Sequence, residues 1–153
     1  MRKNKIIFVF LDGFGLGTAD DSNPIFEAQP AFLNEISNGA LIEGVSVRKP
    51  DIIVRGVDAC LGVPGLPQSA TGQTALFTGI NAAREVGCHI PAFPDNRLKR
   101  IIDAHALLKQ TVNAGHDATF ANAYSPHYFQ MVEEGKRIHS VTTLSVFAAD
   151  LSF

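Results

Sequence analysis

Thirteen basic residues nearly balance fifteen acidic ones over 153 residues, and no Lys/Arg group exceeds Arg97, Lys99 and Arg100, so the chain carries no electrostatic footprint for nucleic acid. With 46% hydrophobic and 18% charged residues the composition is globular rather than disordered, and the length suits a single domain over residues 1–153 that buries a core without disulfides. Cys60 and Cys88 stand in no metal-type or redox-type spacing, which fits two ordinary buried thiols in a reducing, cytoplasmic setting, and no stretch approaches the roughly 20 apolar residues of a membrane span.

The first element expected is a strand. Lys5 to Leu11 is apolar at nearly every position and rich in Ile, Phe and Val, the pattern of a strand covered on both faces in a parallel sheet; its apolar run, Ile6 to Leu11, is too short for the core of a signal peptide. Asp12 to Pro24, with Gly13, Gly15, Gly17, Asp20, Asp21 and Asn23, reads as an irregular loop. A short helix over Pro30 to Ser37 follows, closed by Asn38-Gly39. Ile52 to Val57 is β-branched enough for a strand, and Gly62, Pro64, Gly65 and Pro67 end it in a long turn.

A helix from about Ser69 to Phe77 comes next. Arg97 to Ala114 places Leu98, Ile101, Ile102, Leu107 and Leu108 near helical spacing, stops at Gly115 and precedes an expected strand at Ala118 to Ala121. Pro126 to Glu134 and Val141 to Phe153 are both read as helices. Strands alternating with helices predict an α/β fold, three layers deep in the α/β/α sense, with a mainly parallel sheet.

Two short segments carry candidate chemistry. Asp12 follows the first expected strand, at the carboxyl edge where open α/β sheets hold their ligands. A carboxylate among apolar neighbours needs compensation, either from a cation or from the N–H groups of a glycine-rich turn, and both readings stay open on this segment alone. Gly13, Gly15 and Gly17 make G-x-G-x-G rather than the dinucleotide-binding G-x-G-x-x-G, and no helix begins after them. The second segment is Gly65-Leu66-Pro67-Gln68-Ser69-Ala70-Thr71-Gly72, in which a serine leaves a proline turn and opens a helix. Such a residue either caps the helix or presents a hydroxyl in the field of a helix N-terminus, which favours phosphate anions.

Asp12-Gly13 after an apolar run, together with Gln68-Ser69-Ala70-Thr71-Gly72 and Thr74-Ala75-Leu76-Phe77-Thr78-Gly79, resembles the two N-terminal signatures of the alkaline-phosphatase superfamily. Within it the serine segment is most similar to that of the cofactor-independent phosphoglycerate mutases, and the Asp-Gly-Phe-Gly-Leu-Gly loop suits them and the phosphopentomutases. The strong likeness covers about residues 5–17 and 62–83, and a looser one runs over Asp117 to Tyr128. The resemblance implies metal-dependent phosphoryl transfer or phosphoester hydrolysis. Ser69 would be the nucleophile, transiently phosphorylated; Asp12 and the Ser69 oxygen would share a divalent ion (Mn, Zn or Mg); Gln68 and Thr71 would flank the phosphate of a small phosphorylated substrate.

The departures are specific. Gln68 stands where alkaline phosphatases carry Asp and the mutases Asn, and Gln73 where the mutases carry His. The family draws its other metal ligands from downstream Asp and His residues, so the ligand set here is incomplete. The expectation is therefore an N-terminal portion of a catalytic domain, inactive until the C-terminal part is supplied. None of the histidines at 89, 105, 116, 127 and 139 pairs with another ligand at metal-binding spacing, and His127 alone is a candidate substrate contact. A competing expectation is a non-catalytic binding or assembly module that uses an exposed sheet edge to form a homodimer.

Overall fold

Capping residues start most of the helices. In the computed structural model, which describes residues 5–153, helix α1 (Pro24–Ala28) begins at Asn23, whose Oδ1 accepts from the N–H groups of Ile25 and Phe26 at 3.1 and 3.4 Å. Pro24 then occupies the first turn, where its missing N–H leaves nothing unsatisfied. Helix α2 (Ala31–Ser37) ends as expected at Asn38, which takes the left-handed conformation at φ 59°. Strands β1 (Ser46–Arg48) and β2 (Ile53–Arg55) pair antiparallel with Val47 opposite Val54, and Lys49 N–H donates to the Ile52 carbonyl at 2.8 Å to close the turn between them.

The chain divides after Val57 into two compact units, and the elements so far belong to the first. The second holds α3 (Ser69–Thr78), α4 (Ala82–Val86), α5 (Asn96–His105), α6 (Leu107–Asn113), α7 (Pro126–Glu133) and α8 (Val141–Ala148). Helix α5 supplies the apolar stripe at its centre. Leu98, Ile101 and Ile102 lie on one face and Arg97, Lys99 and Arg100 stay in solvent, while Asp95 caps the helix by accepting from the N–H groups of Arg97 and Leu98. Leu98 packs with Ala70 of α3 and Ala82 of α4, small residues that let the helices approach closely, and α8 lays Val141 and Val146 into the same interior. Gly79 ends α3 at φ 76°, a conformation glycine takes without a Cβ penalty.

The three-layer α/β/α architecture with a parallel sheet is not the fold. Among the described residues there are eight helices and a single two-stranded antiparallel sheet. A strand exists only as half of a hydrogen-bonded pair, and apolar β-branched composition cannot supply the other half. Lys5 to Leu11 forms no strand; Ile6 is 92% exposed and Ile7 88%. Ala118 to Ala121 forms none either, and the residues expected to pair in parallel at Ile52 to Val57 instead pair locally with β1. The long helix expected over Arg97 to Ala114 is broken at Ala106, buried and extended at φ −52°, ψ 130°, which receives the end of α5 and begins α6. Helix α8 stops at Ala148, with Asp150 left-handed beyond it, rather than running to Phe153.

Candidate functional site

The approach to Ser69 is fixed by side chains from three places in the second unit. Asp58 accepts from the N–H groups of Cys60 and Gly62, each at 2.9 Å; Asn81 Nδ2 donates to the Leu61 carbonyl at 2.8 Å; and His89 Nε2 lies 3.1 Å from the Val63 carbonyl. These contacts hold a proline- and glycine-containing turn that has little regular structure of its own. Gln68 leaves it extended, at φ −131° and ψ 148°, and is the cap residue of α3, although its side chain makes no capping bond. Ser69 is therefore the first residue of the helix rather than its cap, and it is half-buried.

The backbone of Ile90 crosses this helix start. Ala70 N–H donates to the Ile90 carbonyl at 3.2 Å, and Ile90 N–H donates to Thr71 Oγ1 at 3.3 Å. Thr71, fully buried, gives its own hydroxyl proton to the Gln68 carbonyl at 3.2 Å. Its side chain thus ties the turn, the helix and the Ile90 segment together. Thr74 and Thr78 are also buried and donate to the Ala70 and Thr74 carbonyls one helical turn back. Of the four hydroxyl side chains on α3, Ser69 alone is not buried.

Of the other expected site residues, Gln68 and Thr71 belong to this helix start, and Asp12 and His127 lie on other segments of the chain. Asp12 belongs to the first unit, is exposed, and accepts from the Gly13 N–H at 3.1 Å, with Gly13 at φ 73° in the turn that follows the apolar segment. His127 is exposed on the first turn of α7, after the Ser125 cap and Pro126. Gln68 and Thr71 flank Ser69 in sequence, the first half-buried and the second in the interior.

A catalytic zinc ion takes three protein donors, whereas a magnesium ion is held by one or two carboxylates together with waters and substrate phosphate oxygens. Among the described residues no three His, Cys, Asp or Glu side chains come together in a group that could hold one. Asp12 and Ser69 by themselves are two donors, fewer than a zinc site takes.

The supporting residues Asp58, Asn81 and His89 were legible only in part. Asp58, followed by Cys60 and Gly62, has the form of an Asx turn, and Asn81 directly precedes a helical Ala-Ala pair as a cap would. Their second roles, across 20 and 26 residues for Asn81 and His89, leave no local trace. The sequence also drew attention to Tyr124 and Tyr128 only as neighbours of His127, whereas both rings belong to an aromatic cluster with Phe129 and Phe153. No helix among the described residues is long and apolar enough to cross a membrane. No protein-family model, curated protein or solved structure matches this chain.

Proposed function

We propose that the chain carries the phosphoryl-accepting end of a phosphotransfer site, with Ser69 as the hydroxyl that takes the group from a small phosphomonoester. One observation carries this reading: Ser69 is the one hydroxyl of α3 outside the interior, at the N-terminus of a ten-residue helix that no side chain caps. The helix dipole favours a phosphate anion there, beside the Ala70 N–H that is already given to the Ile90 carbonyl. The reading accords with the alkaline-phosphatase-like motifs around Asp12 and Ser69, and it assigns the missing cation donors to a C-terminal part of the catalytic domain. By itself the chain then binds phosphate weakly and turns over little or nothing.

Titration with inorganic phosphate, followed by backbone amide NMR, tests the binding half. Shifts at the Ser69 and Thr71 amides are expected, and their absence at saturating phosphate overturns the site. Phosphate release from a small phosphomonoester, measured with the C-terminal part supplied and a divalent ion added, tests the chemistry. Ser69→Ala abolishes it if Ser69 is the nucleophile; an unchanged rate ends that assignment.

A second reading, a non-catalytic module that assembles through its apolar surface, is favoured by a separate observation. Ile6, Ile7, Val9 and Leu11 are all more than half exposed within one six-residue apolar run, a segment able to add to a second copy. Light scattering on the wild-type chain discriminates: a homodimer that Val9→Lys dissociates supports assembly, and a monomer at all concentrations removes it.

A further inference from the structure

A concavity that lies wholly within the second unit is lined by none of Gln68, Ser69, Thr71 or His127. It measures about 700 Å³, within the roughly 300–1,000 Å³ of small-molecule sites. Phe93, Tyr124 and Tyr128 line it with aromatic surface, Ile138 adds an aliphatic wall, and Lys136 and Arg137 bring two adjacent cations to it.

The aromatic part is held in place before any ligand arrives. The Tyr124 and Tyr128 rings lie 4.8 Å apart, tilted by 33°. The Tyr128 hydroxyl is 3.0 Å from His139 Nδ1, and Thr143 Oγ1 lies 3.4 Å from both tyrosine hydroxyls. Burial would raise the Tyr124 phenol, but hydrogen bonds from Thr142, Thr143, Ser140 and Asn122 keep it below its ordinary value, so several polar groups converge on that oxygen. Rings tethered at their polar ends lose little rotamer freedom when another ring stacks on them.

The charge is unbalanced in one direction. Lys136 Nζ is paired with Glu134 at 2.7 Å, whereas Arg137 has no ion pair among the described residues. A guanidinium presents a planar fork of donors that matches phosphate in a bidentate way. Ser140 places a hydroxyl at the same wall, where it also caps α8. A stacking surface, a hydroxyl-rich wall and a net cation, in a volume larger than one ring needs, make complementary room for a base, a sugar and an anionic group.

We infer that this cavity binds a nucleoside monophosphate, the base against Phe93, Tyr124 and Tyr128 and the phosphate on Arg137. The inference is independent of the phosphotransfer reading of Ser69. Isothermal titration of the chain with AMP, adenosine and ribose 5-phosphate tests it, alongside the variants Arg137→Gln and Phe93→Ala, both at exposed positions. AMP is expected to bind at least about tenfold more tightly than either half alone, with Arg137→Gln and Phe93→Ala each weakening it by about tenfold or more. Thermal melts of both variants within error of wild type show that the losses are local. Failure of AMP to bind, affinity for ribose 5-phosphate equal to that for AMP, or AMP binding unchanged in both variants each overturns the proposal.

Discussion

Thr71→Val is the sharpest test of how the start of α3 is built, because it keeps side-chain volume while removing one hydroxyl. That hydroxyl makes two bonds, donating to the Gln68 carbonyl at 3.2 Å and accepting from Ile90 N–H at 3.3 Å, and the residue is 0% exposed. The two losses are unequal. The Gln68 carbonyl still accepts the Gly72 N–H at 2.9 Å and is not orphaned, whereas Ile90 N–H loses its acceptor. An unsatisfied donor costs about 1–3 kcal/mol and a simply lost bond about 0.5–1.5, less at these long distances, so we expect about 2 kcal/mol in all. In a unit of this size that lowers the melting temperature by about 8–16 °C. Urea denaturation gives the energy, and amide hydrogen exchange gives the location. Ile90 loses protection in Thr71→Val and keeps it in Thr71→Ser, which retains the hydroxyl. A Thr71→Val protein as stable as wild type, with Ile90 still protected, would show that Thr71 does not hold the turn.

Further outcomes follow from the same packing. Leu98→Ala, at a side chain with no exposure packed against Ala70 and Ala82, should cost about 2–5 kcal/mol in urea unfolding, and a loss under about 1 would refute its central place. Asp95→Ala removes both capping bonds at the start of α5 and should cost about 0.5–2 kcal/mol, with Asp95→Asn nearly neutral. Burial, reinforced by the charge of Lys99, holds the His139 pKa below its ordinary 6.5. The unfolded chain therefore takes up this proton first, and the contribution present above pH of about 6.5 is lost as pH falls through that value toward the lower folded pKa. Stability should decline over that interval and His139→Gln should flatten the slope; an unaltered slope would remove His139 as its source.

The three readings rest on different residues and separate by where they act. A phosphate site at Ser69 shifts amides at the start of α3, a nucleotide in the cavity responds to Arg137 and Phe93, and assembly responds to Val9. No one substitution moves all three, so each reading can fail without the others.

The local signals in the chain were strong at several helix ends that are made by their own neighbours, though not at the starts of α1 and α4. Pro30 before α2, Asn38-Gly39 after it, Pro126 in the first turn of α7 and Gly79 after α3 each act within one turn of themselves, and these helices stand where periodicity and breakers put them. The prominence of Ser69 at a helix start was legible for the same reason. What local chemistry could not convey was pairing across distance. The apolar run Ile6 to Leu11 has the composition of a buried strand, yet it forms no strand and every residue of it but the half-buried Phe10 is exposed, because a sheet requires a second backbone that composition does not provide. Ala106 interrupts an otherwise unbroken helical pattern where it is buried, a choice made by packing that alanine's own preference opposes. Nor does any local pattern announce that Ile90, 19 residues beyond Thr71, closes the start of α3, or that a loop bearing Arg137 meets two tyrosines. Helix ends are set by forces acting over one turn; sheets, core breaks and cavities are set by which distant segments come to lie together.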